Sequence, residues 1–88
     1  MTLDEYRIKI CRNIETSRSN EQALAYIQEA RNVLYESNIS QYNRRQFWTE
    51  LYTDLTRLNE RQSASALSAI IAAAQQAIAQ QIQKEKSN

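Results

Sequence analysis

Glu50 and Asp54 stand four residues apart, so a helix would set both carboxylates on one face, the starting arrangement for paired-carboxylate acid–base chemistry. That face is the polar one, where such a pair is ordinarily solvated charge. Cys11 is the only thiol, and because the chain contains no His it has no imidazole to activate it as a nucleophile. No Gly is present either, which removes the phosphate-cradling loop. Tyr42, Phe47, Trp48 and Tyr52 lie close to Arg44 and Arg45, a mixture able to stack bases and grip phosphates. Against that reading, Phe47 and Trp48 also suit a core, and the two arginines suit the solvated start of a helix. These residues support no catalytic site, no cofactor site and no metal cluster, so a non-enzymatic protein without a small-molecule substrate is expected.

The elements that carry these residues must form without the usual turn formers, because the 88-residue chain has neither Gly nor Pro. Strand hairpins become improbable and helices joined through Ser and Asn become the default. One domain of this length buries only roughly 60 to 65% of its unfolded surface, so a small core often leans on a partner. A single cysteine closes no internal disulfide. Eleven Lys and Arg nearly balance ten Asp and Glu, which leaves no strong field for nucleic acid or an anionic membrane. The segment MTLDEYRIKI has no basic stretch followed by an apolar run, so it does not read as a secretory signal, and a cytoplasmic location is expected.

Four helices are predicted, over residues 3–17, 20–36, 41–61 and 64–85. Thr2 with Glu5, and Ser19 with Gln22, form capping boxes at the first two starts. Leu3, Tyr6, Ile10 and Ile14 fall within about 80° of arc at 100° per residue, leaving Ile8 and Cys11 off the stripe. Leu24, Ile27 and Leu34 centre the second stripe, with Ala23, Tyr26, Ala30 and Val33 on one flank. Arg31 sits inside that arc, where it must snorkel out or find a carboxylate. Ser37-Asn38 is the expected turn, with Asn38 taking the left-handed conformation, and Ile39-Ser40 an apolar residue before an N-cap. Phe47, Trp48, Leu51, Tyr52, Leu55 and Leu58 occupy about 140° of the third helix, the strongest amphipathic signal in the chain.

From Gln62 to Gln83 the chain carries no charge: eight Ala, six Gln, three Ser, and Leu67, Ile70, Ile71, Ile78 and Ile82. Six Gln and three Ser would be costly in hydrocarbon, so no membrane span is expected. The apolar arc of this segment is rotated by about 130° from that of the third helix. Either the chain breaks at Gln62–Ser65, with Ser63 as an N-cap, or a rod of roughly 45 residues and 65 to 70 Å faces two directions. The break is favoured.

The sequence therefore reads as an all-α, three- or four-helix bundle with an Ala/Gln-rich C-terminal helix that also admits a helical dimer. Its expected function is a protein–protein interaction module, an adaptor, regulator, inhibitor or chaperone-like protein. Its expected partners are another protein, a second copy of the chain, or both. Leu67, Ile70, Ile71, Ala74, Ile78 and Ile82 are the expected self-association residues, and Ala72, Ala73, Ala74 and Ala77 would let helix axes approach closely. The alternative is a small dimeric nucleic-acid-binding regulator that uses Arg44 and Arg45.

Overall fold

A computed structural model describes residues 2–61 and 65–87, and within them the chain forms four helices and no strand. α1 (Leu3–Glu15) opens on Thr2, whose Oγ1 accepts from the Glu5 amide at 3.1 Å and donates to the Glu5 carboxylate at 3.2 Å. α2 (Asn20–Glu36) opens on Ser19, which accepts from the Gln22 amide at 3.1 Å. The Gln22 side chain reaches back one residue further than a simple capping box requires and accepts from the Arg18 amide at 2.8 Å. α1 is shorter than predicted, because Thr16 and Ser17 turn their hydroxyls onto Asn13 O at 3.1 and 2.8 Å and close its last turn.

Asn38 has φ of 58°, so the residue predicted to take the left-handed conformation does so and ends the connection after α2. Ser40 then accepts from the Asn43 amide at 3.2 Å while Ile39 packs on the core, which fixes the entry into α3 (Gln41–Arg61).

α4 (Ser65–Ser87) folds back along α3. The Gln75 amide donates to Tyr52 O at 3.1 Å and to Thr56 Oγ1 at 2.7 Å, whereas Ile82 and Gln83 share a groove with Thr49, so the two helices are antiparallel. The longest dimension of the molecule is 36 Å, about half the length that an unbroken rod would need. The expected N-cap Ser63 lies outside the described residues.

α4 packs on α3, on α2 and, more lightly, on α1. Its Ile70, Ile71, Ala74 and Ile78 are buried together with Ile10 and Ile14 of α1, Ala23, Ile27, Ala30 and Leu34 of α2, and Phe47, Trp48, Leu51, Leu55 and Leu58 of α3. Tyr6 stacks on Phe47 at 5.9 Å between ring centroids, and Phe47 meets Trp48 edge-on at 5.3 Å, closing one end of the core.

Two apolar residues lie differently from expectation. Leu24 is 39% exposed and Tyr52 40% exposed, while Ala23 and Ala30 are fully buried. The inward face of α2 is thus centred on its small residues, because Ala lets the neighbouring axes come close and Leu24 is then pushed to the edge.

Ile71→Ala is expected to lower stability by roughly 2 to 5 kcal/mol through the cavity that it leaves, and Leu24→Ala by less than about 1 kcal/mol. Urea denaturation followed by circular dichroism measures both. Equal losses at the two positions would contradict the packing described.

Candidate functional site

The residues predicted for self-association are the ones that α4 turns inward. Ile70, Ile71, Ala74 and Ile78 are buried, and Leu67 and Ile82 pack against the same cluster. Within the chain this stripe is covered by the other helices, and what α4 offers to solvent is its opposite side. Arg44 and Arg45, adjacent in sequence, are separated in kind. Arg45 is exposed, whereas Arg44 is held in a buried cluster at the C-terminal end of α4.

That cluster centres on Glu85, whose side chain is 0% exposed. Glu85 Oε1 accepts from Tyr35 Oη at 2.6 Å and from Arg44 Nε at 3.1 Å, and Arg44 also donates from Nη1 to Ile39 O at 2.5 Å. Gln41 donates from its side-chain amide to the Glu85 carbonyl. The Arg44 guanidinium lies 4.7 Å from the Tyr35 ring centroid and that of Arg31 lies 5.3 Å from it, so Tyr35 joins two cations and one carboxylate. Burial pushes the Glu85 carboxyl up, but the hydrogen bonds from Arg44 and Tyr35 and the charges of Arg44 and Arg45 outweigh it and hold it below its ordinary value. Arg31 Nε, Gln81 Oε1 and Glu85 Oε2 are buried with no hydrogen-bond partner among the described residues. The cluster fastens α2, α3 and α4 at one end, and nothing in it points to a reaction.

Glu50 and Asp54 are also committed to structure. Arg7 of α1 donates to Asp54 Oδ2 at 2.8 Å, to Asp4 Oδ1 at 2.8 Å and to Glu50 Oε2, which ties α1 to α3. Cys11, half-buried beside them, has its thiol pushed up by burial and by the charges of Asp54 and Glu15, the opposite of what nucleophilic activation needs.

An open groove of about 590 Å³ runs between α1 and α3 and is lined by Arg7, Ile8, Cys11, Arg12, Glu15, Asp54, Arg57, Glu60 and Arg61. Four arginines and three carboxylates share it, so it selects neither an anion nor a cation. Among the described residues no group of His, Cys, Asp and Glu could hold a metal ion, and no helix is long and apolar enough to cross a membrane.

The opposite flank of α3 is chemically different. Glu50 and Asp54 turn toward Arg7, and Arg57 and Glu60 line the α1 groove. Toward α4 the same helix shows Thr49, Tyr52, Thr53 and Thr56, and α4 meets them with Gln75, Ala79, Ile82 and Gln83. Thr49, Tyr52, Thr53, Ala79, Ile82 and Gln83 line a pocket of about 270 Å³. Ala66, Ala69, Ala72, Gln76 and Gln80 extend the exposed, charge-free surface along α4. In a chain with 24% charged residues, this face carries Arg45 at its end near Glu85 and is otherwise built of hydroxyls, amides and apolar groups, which makes it the strongest candidate for a contact surface. Sequence reading had singled out the uncharged stretch of α4. It missed the flank of α3 on which Arg45, Thr49, Tyr52 and Thr56 follow one another at spacings of four, three and four.

Comparison with protein-family models, with curated proteins and with solved structures found no match.

Because the folded Glu85 carboxyl titrates below its unfolded value, its contribution to stability is fully present above the ordinary carboxyl range and is lost as pH falls through the folded value. Acidification from neutrality to about pH 3 should therefore destabilise the native chain more than Glu85→Gln, measured by urea midpoints. At neutral pH, Arg44→Met is expected to lower stability by on the order of 3 kcal/mol by leaving a buried carboxylate unpaired, and Arg44→Met with Glu85→Met by less. A double variant less stable than the single one would show that the pair is worth more than apolar packing in its place.

Proposed function

We propose that this chain is a non-enzymatic helical interaction module that works by presenting the α3–α4 face to a protein partner, as an adaptor, regulator or chaperone-like protein does. The observation that carries the reading is the segregation of charge on α3. Its carboxylates and Arg57 are used against α1, and its flank beside α4 carries hydroxyls, one half-exposed aromatic ring and alanine-lined relief, with Arg45 at the end near Glu85. Covering Thr49, Thr53 and Ala79 strips no ion of its water, while Tyr52 and Ile82 supply apolar area between them. The exposed large apolar residues elsewhere have other surroundings: Ile8 in the mixed-charge α1–α3 groove, Tyr35 beneath two arginines, Leu24 on α2, and Tyr42 at the start of α3 beside Leu3, Arg7 and Glu50.

The nucleic-acid alternative draws less support. One of its two arginines, Arg44, is engaged by Glu85, and near-neutral net charge gives the remaining Arg45 little help from a surrounding field.

A photo-reactive phenylalanine placed at Gln76, in cells that make the chain, tests the reading. Irradiation should give a covalent adduct with a protein, the adduct should disappear when Tyr52→Glu is added, and the same probe at Glu29 on α2 should give none. Equal capture from both positions, or none from Gln76, would count against the α3–α4 face.

A further inference from the structure

We propose that the end of α4 from residue 81 onward is a latch that opens separately from the rest of the bundle and, once open, uncovers Trp48 beside the groove between α3 and α4.

The inward side of α4 changes character along its length. Ile71, Ala74, Ile78, Gln81 and Glu85 recur at spacings of three, four, three and four, and all of them are buried. The first three are apolar and the last two polar. As far as Ile78 the helix is held by apolar contact, which is lost only when the core comes apart. Beyond it, an amide and a carboxylate stand where the earlier turns carry methyl groups, and Ile82 is only partly buried against the core.

The contacts that hold this end are polar and gather on Glu85. Tyr35 Oη and Arg44 Nε donate to its carboxylate, and the Gln41 side chain donates to its carbonyl. The receiving side has ties of its own, since Arg44 Nη1 donates to Ile39 O and its guanidinium lies over the Tyr35 ring. Opening also returns water to groups that closure leaves dry. Arg31 Nε, Trp48 Nε1, Gln81 Oε1 and Glu85 Oε2 are buried with no hydrogen-bond partner among the described residues, and each weakens the closed state by the hydration it has lost.

Trp48 lies on the stripe of α3 that also carries Gln41, Arg44 and Tyr52, three residues that meet α4. Because the two helices are antiparallel and Arg44 meets Glu85, the turn after Arg44 faces the turn before Glu85, which sets Gln81 opposite Trp48. Lifting this end therefore uncovers the indole and takes Ile82 and Gln83 away from the groove that they line with Thr49 and Tyr52. The latch then sets the depth of the α3–α4 face, a consequence that rests on reading that face as the contact surface.

Hydrogen exchange of the native chain, followed at backbone amides and at the Trp48 indole over a range of low urea concentrations, tests the proposal beside Gln81→Leu. The amides of residues 82–85 and the indole N–H should exchange together, about tenfold or more faster than the amides of Ile71, Ala74 and Ile78, and with little response to urea, as an opening that exposes little surface requires. Gln81→Leu should slow both by about tenfold, because it removes an unpaired buried amide and adds apolar contact. Fast amides at 82–85 with an indole that exchanges only with Ile71 and Ile78 would overturn the latch and leave ordinary fraying of a helix end. Equal rates and equal urea dependence along α4 would overturn it by showing that the helix opens as one piece. Exchange unchanged by Gln81→Leu would overturn the polar inward turns as its cause. No partner enters this experiment, so its failure leaves the capture at Gln76 to judge the contact surface alone.

Discussion

The rest of the molecule depends on one requirement, the burial of the isoleucine side of α4. This helix touches the other three, and its Ile71, Ala74 and Ile78 complete a core to which α1, α2 and α3 each bring only part of a wall. Without α4, Trp48, Leu51 and Leu55 would face water on one side. One cysteine closes no internal disulfide, and among the described residues no group of His, Cys, Asp and Glu could hold a metal ion, so the apolar contact is the main support of the fold. The rotation of about 130° between the stripes of α3 and α4 makes the fold-back obligatory, since no straight helix could bury both against one body.

Once α4 is docked, the polar parts follow from where its ends fall. Its last turns bring Glu85 between Tyr35 and Arg44, where a carboxylate in the dry interior has to be held by a cation and a hydroxyl. At the other side of α3, Arg7 gathers Asp4, Glu50 and Asp54 and draws the charge of that helix toward α1. The threonine-bearing flank, with Arg45 at its end near Glu85, is the complement of that pairing, and it is the surface on which the proposed function rests.

Much of the fold was legible in local chemistry. The caps at Thr2 and Ser19, the left-handed Asn38, and the stripes of α1 and α3 depend on neighbours within one or two turns, and a sequence displays those directly. Long-range facts were not legible. Leu24 looked more central than Ala23, yet axis separation decides which is buried, and axis separation is a property of two helices. Nothing local marks Glu85 as a buried carboxylate; its burial comes from the approach of Tyr35 and Arg44, some forty to fifty positions earlier in the sequence. The candidate surface was half legible: the absence of charge located the unusual helix, but an apolar period cannot say whether the chain itself or another molecule covers it. Here the chain covers the isoleucines, and the alanines and glutamines behind them remain outside.

Amide hydrogen exchange of the native chain tests the burial of α4 most directly, since it reports each backbone position. The amides of Ile71, Ala74 and Ile78 should exchange as slowly as those of Trp48, Leu51 and Leu55, because one cooperative opening exposes both helices. Exchange on this part of α4 far faster than on α3 would contradict it.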